Sequence, residues 1–394
     1  MLQKGVPSTF NNVKSLYEDK AKRKMIEALV EGYASEKQVN GHADQTTNGD
    51  HSNRFEESVL YFLAQHYNYK HSRNLKKAVQ LIDRLIEMKP KIYDYHMTKA
   101  RILKHYGNII EASEVMNHAR ELDTKDRYIN TKCAKYQLRN EESDIALKTM
   151  SKFTRNETVG GPLGDLLEMQ SINYLTEDGE AYARQGKYGR ALKRFRAIFD
   201  IFETWQEDQF DFHSFSLRKG QIRAYIDMVR WEDRLREHPF YARAAIDAVN
   251  VYILLHDQPQ LAQDGYMDGM EDMTEEDRRK ALKKAKKERE HEDMKIAEEI
   301  EANKKVAAKK ANASAEGEMK KVDTDPRGTK LLETKDPLGE AMKFLNPLME
   351  FGAKNLEAQH VGFEVYMRRS KSPMLSPSNL NLLIMLYQRN ITSP

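Results

Sequence analysis

Cationic side chains carry most of the chemistry that this sequence could do. The string RRKALKKAKKER sets Arg278, Arg279, Lys280, Lys283, Lys284, Lys286, Lys287 and Arg289 against a single acid, Glu288. At helical spacing these charges go all round the axis, which suits tracking an RNA phosphate backbone without reading bases. The acids that follow, from Glu290 to Glu299, leave a solvated, salt-bridged helix as the other reading. Catalytic constellations are missing. Gln359-His360-Val361-Gly362-Phe363-Glu364 comes nearest to a Gln/Arg-x-x-Gly-x-Gly/Ala loop, whose amides would cradle a pyrophosphate at a helix start. It lacks the last small residue and lies inside a helical pattern, so it reads as helix surface. Val159 to Gly164 (VGGPLG) has no following Lys-Ser/Thr and reads as a loop. The 12 histidines include no His-Glu-x-x-His and no cluster at ligand spacing, so no metal site is expected.

A second cationic group emerges only from the elements that must position it. Ala78, Ala112 and Ala146 lie 34 residues apart, as do Ile82, Met116 and Met150, and Leu85, Ala119 and Phe153. Ala100 and Ala134 keep the same period, and Gly179, Tyr182, Gly186, Ala191, Phe195 and Ile198 repeat the spacings of the Ala100 unit. A 34-residue helix-turn-helix with small residues at the crossings is the tetratricopeptide pattern. Small side chains there let two helices approach closely, and large apolar ones fill the seam to the next pair. Four repeats are expected, at 57–90, 93–124, 127–158 and 172–205.

In such a repeat the first helix lines the concave groove, through residues one, four and five places after its small crossing residue. Here these are Arg101, Lys104 and His105 after Ala100, and Lys135, Leu138 and Arg139 after Ala134. Lys132 and Tyr136 are neighbours. Like charges converging on one surface repel unless an anion neutralises them, so the expectation is an anion site on Arg101, Lys104, His105, Lys132, Lys135, Tyr136 and Arg139. A plainly solvated face has the same composition.

Composition bounds the rest. The chain has 394 residues, 40% hydrophobic and 32% charged, with 11 prolines and 19 glycines. Helix formers dominate, and so much charge fits a surface-rich, all-α α-solenoid of helical hairpins better than one compact globule. Net charge is only +3, so polyanion affinity must come from local clustering. One cysteine, Cys133, excludes an internal disulfide and suits a reducing, cytoplasmic compartment. No apolar run approaches the ~20 residues of a membrane span, and Met1 to Lys14 has no signal-peptide core.

Along the chain, residues 1–34 read as a helical segment and 35–54 as a disordered polar loop, because it lacks apolar periodicity. The repeats occupy 55–205, and less regular helical pairs 206–274. Residues 275–311 form a charged basic helix with too few large apolar residues to pack as core. Residues 312–336 read as a linker and 337–368 as a helical pair. The pattern fails in the tail, 369–394.

Several strings run in the order of one family: Lys4 to Ser8 (KGVPS) leading to Ser15-Leu16-Tyr17, Tyr61 to Tyr67 (YFLAQHY), Lys104 to Ile109 (KHYGNI), Lys132 to Tyr136 (KCAKY), Asp208 to Phe215 (DQFDFHSF) and His238 to Tyr241 (HPFY). Through them the chain resembles the C-terminal portion of the auxiliary subunit of the NatA N-terminal acetyltransferase complex, from residue 2 to about 368. Generic tetratricopeptide proteins share the 34-residue columns but not these strings. The chain starts where the family's subunit is already well advanced, and it leaves the family pattern after Arg369.

The resemblance implies a non-catalytic helical scaffold that wraps a GNAT-fold catalytic subunit and anchors it to the ribosome for co-translational N-terminal acetylation. Acetyl-CoA belongs to that partner, and the scaffold has no cofactor of its own. The family also implies inositol hexakisphosphate as a structural ligand between the two subunits. Lys104, His105, Lys132, Lys135 and Tyr136 match family strings, whereas Arg101 and Arg139 come from repeat geometry. The basic string from Arg278 to Arg289 is then expected to meet ribosomal RNA. The alternative is a tetratricopeptide co-chaperone, which needs Lys and Asn at fixed groove positions where this chain has Tyr61, Gln65 and Asn68, then Met97, Arg101 and Lys104.

Overall fold

The computed structural model describes residues 1–40, 49–264, 323 and 325–369, with scattered helical positions between 283 and 305. Among these residues there is no strand, so the chain is all-α. It divides into two compact units, Met1–Glu142 and Ser143–Pro394.

The first unit holds α1 (Thr9–Val13), α2 (Lys20–Asn40), α3 (Gly49–Asn68), α4 (Leu75–Met88), α5 (Tyr93–Tyr106), α6 (Ile109–Leu122) and α7 (Arg127–Arg139). Its helix starts are written locally. Asn74, Asn108 and Asp126 are N-caps whose side-chain oxygens accept from Lys77, Glu111 and Ile129 backbone N–H, each satisfying a donor the helix cannot. Gly107, at φ 90, closes α5 in a conformation that a side chain would disfavour. The pairs α3–α4 and α5–α6 are the expected first two repeats. Their small crossing residues Ala78, Ala100 and Ala112 are fully buried, and Ile82, Leu85, Ile102 and Met116 fill the seams around them. At the start of the unit Phe10, Tyr17, Phe62 and Tyr69 pack edge to face, and the buried Tyr17 hydroxyl meets His66 Nδ1 at 2.7 Å.

Helix enters both flanks of the stretch expected as a polar loop. α2 continues to Asn40 and α3 begins at Gly49, and residues 41–48 lie outside the described residues. Each flank propagates a helix already nucleated by apolar residues next to it, Val30 in α2 and Val59 in α3, and propagation is easier than nucleation.

The second unit holds α8 (Ser143–Met150), α9 (Gly161–Glu168), α10 (Ile172–Arg184), α11 (Tyr188–Glu207), α12 (Gln209–Arg218), α13 (Ile222–Glu232), α14 (Pro239–Asp257), α15 (Gln260–Asp264), α16 (Thr329–Leu332), α17 (Pro337–Phe351) and α18 (Leu356–Arg369). The pair α10–α11 is the expected last repeat, and a Cβ on Gly179 would meet Phe195 Cε1 at 2.6 Å. The third expected repeat differs. Its helices α7 and α8 fall in different units, and α8 has only eight residues. Beyond it the Asp165 carboxylate accepts from the Arg155 backbone N–H at 3.0 Å and Nε at 2.7 Å, holding Arg155 in an irregular turn. The Val159–Gly164 stretch also departs from a loop, because Gly160 is left-handed at the N-cap, Pro162 sits in the first turn, and α9 starts there.

α14 packs against α11 and α17, its Tyr241 ring centroid 5.2 Å from that of Phe202 and its Tyr252 ring centroid 6.2 Å from that of Phe344, and Arg368 of α18 holds Asp257 through Nη2 at 2.8 Å. Part of the expected linker is pinned down. Lys193 of α11 pairs with Asp323, and a Cβ on Gly189 would collide with the Arg327 carbonyl. Asp325 then caps α16 through Thr329 and Lys330 N–H. α15 and α16, the helices on either side of residues 265–328, also touch.

Candidate polyanion-binding site

The two groove helices α5 and α7 carry the expected set, and the α3–α4 turn adds to it. Arg101 is exposed, while Lys104 and His105, one turn further along α5, are half-buried. Burial and the charges of Arg139, Arg101, Lys135 and Arg73 push the Lys104 ammonium down to about 8. Charges from α5 and α7 therefore both act on this lysine.

His105 takes a different part from the cationic one expected. Its Nδ1 lies 2.6 Å from Asn68 Oδ1, and burial, then Lys104, Arg73, Arg101 and Arg139, push the imidazole down to about 4. At neutral pH the ring is uncharged and Nδ1–H donates to the amide oxygen. The neighbouring positive charges favour that state.

On α7, Lys135 and Arg139 are half-buried and Tyr136 is buried. Burial raises the Tyr136 phenol, and the charges of Arg101 and Arg139 pull it back. Lys132 has its ammonium 5.2 Å from the centre of the Tyr128 ring, a cation–π distance. Leu138, the third groove position on α7, is buried. Arg73 belongs to the charge cluster but not to a groove position of the repeat. It lies in the turn between α3 and α4, whose basic run Lys70-His71-Ser72-Arg73 is the only signal for it. Asp94 is raised by burial, and the charge of Arg101 pulls it back.

Of the second cationic group, Lys283, Lys284 and Lys287 are helical and exposed, whereas Arg278, Arg279, Lys280, Lys286 and Arg289 lie outside the described residues. The two motifs set aside as non-catalytic are helical. Gln359 is fully buried inside α18 rather than on its surface, its Nε2 donating to the Ala353 carbonyl at 3.4 Å. Cys133 is buried, and burial pushes its thiol up to about 11, away from nucleophilic range. Among the described residues no helix is long and apolar enough to cross a membrane.

Comparison with known proteins identifies the family. The family model for the N-terminal acetyltransferase A auxiliary subunit matches residues 1–378. The N-terminal acetyltransferase A complex auxiliary subunit NAA15 of Arabidopsis thaliana is 35% identical over 94% of this chain and 40% of its own length. The human N-alpha-acetyltransferase 16, NatA auxiliary subunit, is 36% identical over 93% of this chain and 43% of its own. In a solved structure of Naa15/Naa10 bound to HypK-THB, one chain superposes with a TM-score of 0.72 at 46% identity, covering 100% of this chain and 48% of that one. The chain thus spans about two fifths of the length of the curated relatives it matches. A family model matching residues 1–378, together with curated relatives about 35% identical over more than nine tenths of this chain, places it in the family of N-terminal acetyltransferase A auxiliary subunits.

Proposed function

We propose that this chain acts as a non-catalytic scaffold of a NatA-type complex: it binds a GNAT-fold catalytic subunit, which brings acetyl-CoA and the chemistry, and it carries that subunit to the ribosome in the cytoplasm. Support comes from family membership and from the solved relative in which Naa15 is paired with Naa10. The cationic cluster on α5 and α7 is proposed to hold inositol hexakisphosphate between the two subunits. The single observation that carries this site is Lys104, whose ammonium is depressed by burial and by four other cations. Such an arrangement is unfavourable in the empty protein and is relieved by a multivalent anion. The co-chaperone reading needs Lys and Asn at fixed groove positions, and those positions hold Tyr61, Gln65 and Asn68, then Met97, Arg101 and Lys104.

Tagged chain isolated from its native cytosol should bring down a GNAT-fold subunit, and adding inositol hexakisphosphate should tighten the pair by mass action. Replacing Lys104 and Lys135 together by Ala should weaken inositol phosphate binding by at least about a hundredfold, since each charge-assisted hydrogen bond contributes roughly 1.5 to 3 kcal/mol. The inositol phosphate-dependent gain in partner affinity should vanish with it. Recovery of chaperones alone would favour the co-chaperone. Equal partner affinity for both proteins, with and without inositol phosphate, would leave the cluster a solvated face.

A further inference from the structure

The groove side of the first unit contains a pocket apart from the cationic cluster. It has a volume of about 270 Å³ and lies between the N-terminal segment, α3 and the first turn of α5. That is below the roughly 300 to 1,000 Å³ typical of small-molecule sites, and it suits one long side chain. Its walls are aromatic. Tyr61 and Tyr95 have ring centroids 5.2 Å apart, and Phe10 closes the side formed by the N-terminal segment. Tyr95 and Phe10 are buried, and the Tyr61 hydroxyl is fixed by Thr98 Oγ1 at 3.1 Å.

The charges in the pocket are unevenly matched. Glu57 is buried and already paired with Lys89 at 2.5 Å. Lys4 and Arg54 are exposed, and the methylenes of Arg54 lie against Gly5, where a Cβ would meet its Cδ at 3.0 Å. Repulsion from such solvated heads is screened. Asp94 is half-buried and, among the described residues, takes part in no hydrogen bond or ion pair, although the charge of Arg101 acts on it. The pocket therefore offers a partly desolvated carboxylate beside two phenol rings tilted 54° to each other, a setting that favours a cation.

We propose that this pocket is a socket for one lysine or arginine side chain presented by a protein docked along α3 and α5, with Asp94 as its counter-charge and Tyr61 and Tyr95 as its walls. Polyanion binding at Lys104 and Lys135 does not depend on it.

N-acetyl-argininamide titrated into the whole chain carrying labelled tyrosines should shift the Tyr61 and Tyr95 ring resonances saturably. Asp94→Asn should weaken that binding about tenfold, the loss of one charge-assisted hydrogen bond, while Asp94→Glu should retain most of it. Inositol hexakisphosphate affinity in Asp94→Asn, which checks folding of the same groove, should not fall. Three results would overturn the socket: no ring shifts up to the solubility limit, equal binding by Asp94→Asn, or tighter binding of N-acetyl-glutamate amide, which would make the pocket an extension of the anion site.

Discussion

Lys104 ties the chemistry of the groove to the stability of the fold. Its ammonium sits at about 8 against an ordinary 10.5, so between those values the unfolded chain binds more protons than the folded one. Stability contributed by this group therefore rises as pH rises from about 8 to 10.5, and the full penalty applies below 8. His105, pushed down to about 4, acts at the acid end, withdrawing stability as pH falls from 6.5 towards 4. Replacing Lys104 by Met keeps the stem and deletes the repelled charge. In the absence of polyanion, Lys104→Met should melt higher than the parent at pH 7, by about 1 kcal/mol after allowing for solvent screening of a half-exposed group. The gap should close towards pH 10. Inositol hexakisphosphate affinity of the parent should fall as pH rises through 8, because binding then requires a proton to be taken up. Melting curves and calorimetric titrations from pH 7 to 10 check both, and a gap that widens with pH would refute the repulsion.

At the scale of elements, the glycine in the α10 column shows what the small crossing residues do. With Phe195 Cε1 2.6 Å and Arg194 Cβ 3.1 Å from where a Cβ would stand, Gly179→Val must separate α10 from α11. It should destabilise the second unit by about 2 to 3 kcal/mol, the range for an overpacked core. Gly32 in α2 has nothing within 4 Å of that position, so Gly32→Ala is the matched control and should gain up to about 1 kcal/mol from helix propensity. Denaturant unfolding followed by circular dichroism measures both, and equal midpoints for Gly179→Val and the parent would show that the helices part freely. Crossing residues were legible because size alone selects them: Ala78 and Ala112, like Ala100 and Ala134, keep the 34-residue period, and Gly179 opens a unit with the internal spacings of the Ala100 unit. The shortened α8 and the extra α9 were not, since they depend on Asp165 turning back to Arg155 across a loop, a pairing without a periodic trace.

For the molecule as a whole, near-neutral net charge conceals two separate cationic features, and they should be separable by mutation. Changing Lys283, Lys284, Lys286 and Lys287 to Glu should abolish salt-sensitive co-sedimentation with ribosomes, because every phosphate left without its lysine keeps its counterions and forfeits the entropy of their release. Melting temperature and inositol hexakisphosphate affinity should stay at parent values, and unchanged sedimentation at low salt would leave this segment a solvated helix. The sequence by itself determined the all-α class and the buried crossing residues Ala78, Ala100 and Ala112. Each of these follows from helical periodicity and side-chain size, which act over neighbouring turns and are written in order along the chain. Only the tertiary structure decided that Arg73 joins the cluster, that His105 is neutral beside Asn68, that Asp94 faces an aromatic pocket, and that Gly189 and Gly328 lock the far end of the 265–328 stretch onto α11. These pairings join residues far apart in order. Their protonation and fit depend on burial and on the sum of surrounding charges, and neither exists until the helices have packed.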